Sequence, residues 1–256
     1  MSESGAASPA ARATAVAAKD PIGDLGGVWM TTEAEEAATA AAGMKDWELY
    51  FLGRHGVLGD VDPEVVRSAA YVFPAERVRE QWTSARAVMT PGEATDRYVD
   101  VCHAWGREQL GDFADAERLT QLGRKVIDSA DVVAMPLLAG WRALPLPEGS
   151  DASGERCAHV CQLLREHRGA CHGVALAALN MPPLLAILTN RGGEDNALEY
   201  GWPAPFPEPS DADRQLRDRV EELTDDIVAF AYDGLTAEEQ TELVSVLQAA
   251  RAQALD

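Results

Sequence analysis

The stretch Leu163-Leu164-Arg165-Glu166-His167-Arg168-Gly169-Ala170-Cys171-His172 is the most informative part of this 256-residue chain. Plotted at about 100° per residue, it belongs to a helix over residues 155–179 that has one apolar stripe. That stripe consists of Cys157, Val160, Cys161, Leu164, Cys171, Ala175 and Leu179. Arg168 falls near the middle of the stripe, and His172 falls at its edge. Because an unpaired buried charge is costly, Arg168 requires either a carboxylate partner or a pocket.

The rest of the chain also favours helices. Hydrophobic residues make up 46% of it but aromatic residues only 6%, and alanine and leucine are prominent. That mixture suits helices better than a β-sandwich or a barrel, which are richer in Val, Ile, Tyr and Thr. No segment of five residues alternates convincingly between apolar and polar side chains. The sequence therefore predicts an all-α, multi-helix bundle.

Helix start and stop signals divide the chain into segments. Asp62-Pro63-Glu64 is a typical helix start, and Thr90-Pro91-Gly92-Glu93 and Thr236–Glu239 are capping boxes. The predicted helices cover residues 32–43, 46–52, 62–71, 74–88, a long segment after 90, 114–133, 155–179 and 182–190, with two more closing the chain. Residues 53–60 are predicted to form a glycine-punctuated loop, and residues 136–145 contain too much proline for a long helix.

The predicted organisation has three parts. Residues 1–28 are rich in Ala, Ser and Gly and are expected to be a disordered tail. Residues 29–135 and 136–256 are expected to form an N-terminal and a C-terminal helical unit. The second unit contains an extended, proline-rich strap over residues 191–210. The similarity of residues 50–54 to residues 137–142 suggests that the two units are pseudo-repeats.

Charge and composition exclude several classes of function. The chain has 42 acidic and 22 basic side chains, a formal net charge of −20, which makes unaided DNA binding unlikely on electrostatic grounds. No apolar segment is long enough to span a membrane. Four cysteines without a disulfide-like spacing are expected to be reduced thiols, which predicts a cytoplasmic protein.

Five residues are predicted to bind a ligand: Arg54, Trp141, Arg168, His172 and Trp202. In the functional interpretation, Arg168 meets an anionic or carbonyl group and His172 shares a proton or hydrogen bond with it. In the structural one, Arg168 pairs with a carboxylate from the first half of the chain. Arg54 and His55 either face a ligand or lie in a plain connection, and Trp202 either covers a cavity or anchors the strap. If the protein is an enzyme, His172 and His55 are the candidate catalytic residues.

A metal site is not expected. Cys157, Cys161, Cys171 and His172 all lie on one helix, where His172 is about 16 Å along the axis from Cys161. Tetrahedral zinc needs its ligands much closer together than that. The sequence predicts no metal and no cofactor.

Several motifs resemble an actinobacterial family of helical proteins described as helix-turn-helix. They are Gly53-Arg54, Leu58-Gly59 and Phe73-Pro74 within residues 50–82, the stretch Leu163–His172, and the segment from Leu216 to Leu235. The resemblance implies MarR-like C-terminal helices, a homodimer, and a winged-helix unit before those helices. The proline-rich strap occupies that place here, so the winged unit is expected to be shortened or lost. The family has no established reaction, so no catalytic residue is implied.

Three functions follow as hypotheses. The first is a small-molecule-binding helical protein, a sensor or accessory protein derived from a winged-helix-type regulator and without DNA binding of its own. The second is an enzyme of specialised metabolism that uses the His and Arg residues of the same pocket for acid/base chemistry. The third is a transcriptional regulator with a degenerate helix-turn-helix, whose basic residues would be Arg77, Arg79 and Arg86, or Arg214, Arg217 and Arg219.

Overall fold

The computed structural model describes residues 5–255, and that range is helical without a strand, which confirms the predicted all-α bundle. The helices are α1 (Pro9–Gly27), α2 (Glu33–Ala41), α3 (Glu48–His55), α4 (Pro63–Ala69), α5 (Ala75–Arg86), α6 (Pro91–Leu110), α7 (Ala116–Ser129), α8 (Pro136–Ala143), α9 (Ser153–Ala178), α10 (Pro183–Leu188), α11 (Gly193–Glu199), α12 (Asp211–Tyr232) and α13 (Ala237–Leu255). Two 3₁₀ turns cover Val28–Thr31 and Gly56–Leu58. None of the helices in this range is long and apolar enough to cross a membrane.

Helix α9 is the centre of the bundle. Its 26 residues extend about 39 Å and pack against α1, α6, α7, α8 and α12. Glycines allow the closest of these contacts, because a Cβ at Gly106 of α6 would lie 2.5 Å from the carbonyl oxygen of Gly154. The predicted helix over residues 155–179 is thus present and occupies the core.

The prediction that the N-terminal segment is disordered is wrong for residues 9–27. Residues 9–27 form α1, which lies against α9, α12 and α13. Ser8 accepts a hydrogen bond from the Ala11 amide at the start of the helix, and Pro9 occupies the first turn. One side of α1 is fully buried and consists of Ala11, Ala15, Ala18, Ile22 and Leu25. The small side chains of this stripe suggest a flexible tail by composition, but they let α1 approach its neighbours closely. Residues 1–4 lie outside the described range.

The predicted loop over residues 53–60 is largely helical. Helix α3 continues through His55, and the 3₁₀ turn follows directly. A Cβ at Gly53 would lie 2.5 Å from that of Tyr98 on α6, and the Thr95 hydroxyl donates to the Gly53 carbonyl at 3.0 Å. This glycine therefore serves a close approach of helices rather than a turn. Gly59, with φ of 83°, is where the chain does turn.

The proline-rich strap contains a helix that the sequence analysis missed. Residues 193–199 form α11, and an irregular segment leads from there to α12. Trp202 anchors that segment, because its indole Nε1 donates to the Val72 carbonyl at 2.9 Å. The extended conformation predicted from the alternate prolines thus applies only to the second half of the strap.

The C-terminal helices pack within their own chain. Helices α12 and α13 both contact α1 and α7, and α12 also contacts α9. One buried hydrophobic cluster extends from Ala11 to Ala250 and includes residues on both sides of position 135. The division into units at that position stays a prediction. The proposed repeats form α3 and α8, each of eight residues, and their duplication stays a prediction as well.

Candidate functional site

A cavity of about 590 Å³ lies beside the second half of α9. Its wall is formed by residues of α1, α3, α9, α11 and α12, together with the connections after α4 and α11. Four arginines line it, against two glutamates, within a chain of net charge −20. The charged lining residues are Arg54, Arg165, Arg168, Arg217, Glu199 and Glu221. Arginines thus outnumber glutamates among the lining side chains, and we call this space the cationic cavity.

Arg54 of α3 is held by a buried carboxylate. Its Nε and Nη2 donate to the two oxygens of Glu166 at 2.8 and 2.9 Å, and its Nη1 donates to the Tyr50 hydroxyl at 2.8 Å. Gln162, one turn earlier on α9, donates to the same carboxylate at 2.7 Å. Burial alone would raise the pKa of the Glu166 carboxyl, but the Arg54 guanidinium and its hydrogen bonds hold that pKa below its ordinary value. The pair is ionised and geometrically fixed.

Arg168 lines the cavity and is also fully paired. It donates to Asp225 Oδ1 at 2.8 Å and to Glu221 Oε2 at 3.0 Å. Both carboxylates belong to α12, so the predicted partner from the first half of the chain is wrong. Sequence periodicity placed Arg168 on a buried face, but α12 reaches that face only through tertiary packing. The ion pair and the cavity, which were alternatives at the level of sequence, occur together.

His172 is a neutral hydrogen-bonding group at the cavity wall. Its Nδ1 lies 3.1 Å from the Thr224 hydroxyl, which donates its own proton to the Val220 carbonyl at 2.7 Å. The hydroxyl can therefore only accept from His172, so Nδ1 carries the ring proton and Nε2 is an acceptor. Burial, reinforced by the charge of Arg217, lowers the pKa of His172 to about 4. At neutral pH this residue offers a ligand a lone pair.

Arg165 and Arg217 are the least satisfied cations of the wall. Arg165 reaches Glu166 only at 3.5 Å, and that carboxylate is already engaged by Arg54. Arg217 pairs with Glu221 through Nη1, but its Nε is buried and has no hydrogen-bond partner within residues 5–255. An unmet buried N–H of this kind costs free energy.

Part of the cavity wall is aromatic. Trp47, Tyr50, Phe73 and Tyr200 line the cavity and form a connected cluster, with ring centroids 5.1 Å apart for Trp47–Tyr50 and 5.0 Å apart for Phe73–Tyr200. Trp47 has a φ of 70°, a left-handed conformation that is strained for a bulky residue. Strain of this kind persists where the surroundings impose it and clusters at functional sites. Four aromatic rings and four guanidinium groups thus line the same cavity.

The structure brings three of the predicted ligand-binding residues to the cavity, namely Arg54, Arg168 and His172. Trp141 is fully buried behind it, where its indole donates to the Arg54 carbonyl at 3.0 Å, and Trp202 lies in a separate groove. His55 is also fully buried; its Nδ1 contacts the Phe51 carbonyl oxygen at 3.0 Å, and burial lowers its pKa to about 3. It does not line the cavity.

The sequence analysis missed the residues that other elements contribute to the wall. These are Trp47, Tyr71, Arg165, Arg217, Glu221 and Tyr200. Only Arg165 had a local signal, since it lies one turn before Gly169 on the helix already singled out. The others are separated from α9 by long segments of chain, and no spacing in the sequence relates them.

The remaining histidines and the cysteines are structural by position. Nε2 of His103 lies 2.9 Å from Nδ1 of His159 across the α6–α9 contact. All four cysteines are buried and unbonded. Among the described residues, no group of three or more His, Cys, Asp or Glu side chains could hold a metal ion.

Comparison with known proteins gives one result. A family model described as a helix-turn-helix family matches residues 13–205. No curated protein and no solved structure matches the chain. The match begins inside α1 and ends after α11, so it contains three of the four arginines and the whole aromatic wall described above. Because it covers well over half of the sequence, this protein belongs to the helix-turn-helix family.

Proposed function

We propose that this member of the helix-turn-helix family is a sensor that binds a small organic anion with an aromatic or apolar body. The observation that carries the proposal is the cavity itself, whose lining combines four arginines with four aromatic rings. Ligand sites are typically concave and mostly apolar, with a few convergent polar groups, and several hundred Å³ in volume.

The charges support an anionic ligand in particular. Arg165 reaches Glu166 only at 3.5 Å, so it can take a ligand oxygen without breaking the Arg54–Glu166 pair.

Calorimetric titration with 1-naphthoate, and with 1-naphthalenemethanol as its uncharged counterpart, tests the proposal. Gly23 lines the cavity, and a Cβ there would meet nothing within 4 Å, so Gly23→Trp introduces a bulky side chain at the cavity wall where the backbone has room for it. Gly92 is equally open but lies on α6, away from the cavity lining, so Gly92→Trp is the matched control.

We expect 1-naphthoate to bind the wild type and Gly92→Trp, and to bind Gly23→Trp at least tenfold more weakly. The alcohol should bind more weakly than the anion in every case, and Arg165→Gln should remove most of that difference. Failure of the wild type to bind 1-naphthoate, or equal binding to both tryptophan variants, would contradict the proposal.

We further propose that the chain does not bind DNA by itself. The basic residues of α5 are already engaged, since Arg79 and Arg86 pair with carboxylates and the Arg77 guanidinium lies 4.9 Å from the centre of the Trp47 ring. The net charge of −20 opposes approach to a polyanion. Fluorescence anisotropy with a labelled duplex at low salt should show no binding; binding that weakens steeply with added salt would favour the regulator hypothesis instead.

A MarR-like origin with a shortened winged unit, and a homodimer, remain part of this proposal. Since α12 and α13 pack on their own chain, a dimer would use their outer faces, where Phe230 is 51% exposed. Light scattering after size-exclusion chromatography decides this point, because a mass near 27.5 kDa would contradict a dimer.

A further inference from the structure

A second chamber, of about 290 Å³, lies next to the cationic cavity. Its wall comes from α4, α9 and the connection that leads into α8. Most of that wall is apolar and is formed by Ala69, Ala134, Met135, Pro136, Leu137, Ala170, Val174 and Ala177. The two spaces share Arg54, Ala69, Tyr71 and Gly169 as lining residues, so a common partition separates them.

Of the four shared residues only Arg54 is charged, and its charge is paired with Glu166. Tyr71 closes the partition by donating from its hydroxyl to the Gly169 carbonyl at 2.7 Å. Burial raises the pKa of the Tyr71 phenol, so it is neutral at physiological pH. On the α9 side the partition is Gly169 itself, where a Cβ would meet nothing within 4 Å. Gly173, one turn later, differs, because a Cβ there would lie 2.8 Å from the Tyr71 ring.

The far wall of the chamber is also unusual. Ala134 has a φ of 62°, a left-handed conformation that a residue with a Cβ seldom adopts. It precedes Met135 and Pro136, which lead into α8 and line the same chamber. As with Trp47 in the cationic cavity, a strained backbone residue lies where the wall is shaped.

We infer that the ligand extends through this partition by displacing the Tyr71 hydroxyl from the Gly169 carbonyl. Its anionic group binds among the arginines of the cationic cavity, and an unbranched apolar chain occupies the second chamber. The ligand class is therefore an amphipathic carboxylate, an aromatic or aliphatic acid with a short alkyl chain. This inference rests on the proposed function, because the anionic group occupies the site described there. An alkyl chain suits a chamber whose polar groups, Arg54 and Glu166, already satisfy each other.

A series of 4-alkylbenzoates, from benzoate to 4-heptylbenzoate, tests the inference by calorimetric titration. We expect the affinity of the wild type to rise about fourfold for each methylene, equivalent to about 0.8 kcal/mol, until the chamber is full, and then to level off. Ala170→Phe fills the chamber from α9, and Val174→Trp fills it from the next turn. Ala178→Phe adds the same bulk at an exposed position of α9 outside the chamber lining.

Benzoate itself should bind equally well to all of these proteins, while the gain with chain length should disappear in Ala170→Phe and Val174→Trp and persist in Ala178→Phe. Binding of benzoate with no gain from the chain would overturn the inference and leave the proposed function intact. A gain that survives both chamber-filling variants would overturn it as well, since the chain would then lie elsewhere. If neither benzoate nor its alkyl derivatives bind the wild type, the proposed function itself fails.

Discussion

The two halves of α9 have the same helical geometry but opposite surroundings. From residue 157 to 164 every side chain is buried, and α6 and α7 lie directly against the helix. From residue 165 to 174 most side chains are only half-buried, and they line the cavity and the chamber. We call these the sealed half and the open half.

The difference comes from the neighbours of the helix. On the sealed half, Gly106 and Gly123 let backbones approach until a Cβ at either position would lie within 2.6 Å of an α9 atom. On the open half the neighbouring walls carry arginine and aromatic side chains, which hold the elements apart and satisfy their charges within the gap. A helix in a bundle can thus be core at one end and a binding wall at the other.

The largest effect is expected at the boundary between the halves. Glu166→Gln removes the charge that compensates the buried Arg54, which should cost about 3–5 kcal/mol in the free energy of unfolding. The double variant Arg54→Met, Glu166→Met removes both charges and should recover most of that loss. Urea denaturation measures both, and a single variant within 1 kcal/mol of the wild type would show that the pair is not effectively buried.

Two glycines on α9 compare its halves directly. Gly154→Ala should destabilise the protein by about 2–3 kcal/mol, because its Cβ would lie 2.4 Å from the Gly106 carbonyl oxygen and the backbone there cannot give way. Gly169→Ala meets open space in the open half and should stabilise the helix by about 0.5–1 kcal/mol. Denaturation midpoints that move in the same direction for both would remove the distinction between the halves.

Lowering the pH should destabilise the protein through both halves of α9, because each half contains a histidine that is neutral in the folded state. Burial is the main cause that lowers the pKa of His159, in the sealed half, to about 3 and that of His172, in the open half, to about 4. Since the unfolded chain takes up these protons near pH 6.5, their contribution to stability is complete above that pH and is lost as the pH falls towards the folded values. At pH 5 each of these two histidines should lower the free energy of unfolding by about 2 kcal/mol.

The measurement is the unfolding free energy between pH 7.5 and 5. His159→Gln and His172→Gln should each flatten its pH dependence by about one proton, relative to the wild type. Saturating ligand should change the slope for His172, whose ring lines the cavity, and leave that for His159 unchanged. An equal response of the two to ligand would place the ligand outside the open half.

The smallest effect concerns two buried tyrosines. Tyr71→Phe removes the hydrogen bond to Gly169 and should cost about 1 kcal/mol. The Tyr98 hydroxyl is buried without a hydrogen-bond partner among the described residues, so Tyr98→Phe should be neutral or stabilising. Thermal denaturation compares them, and a larger loss for Tyr98→Phe would imply that its hydroxyl is bonded in solution.

The sequence predicted those features of the fold that are encoded locally. Capping residues located helix starts such as Thr90 and Asp62, and the 3.6-residue period identified α9 and the position of Arg168 on it. The same local reasoning failed for α1, where an alanine stripe looks like a low-complexity tail. It failed again at Gly53, because a glycine required for close packing cannot be distinguished from one that permits a turn. It also failed for α11.

The sequence alone therefore determined that α9 carries an arginine on its buried face and that this buried charge needs a partner. Tertiary structure alone decided that α12 supplies it, that Arg165 and Arg217 join the same wall, and that aromatic rings line the same cavity. The physical reason is the range of the interactions. Helix period and capping depend on residues within one or two turns, whereas the partner of a buried charge depends on which distant element the packed core brings beside it.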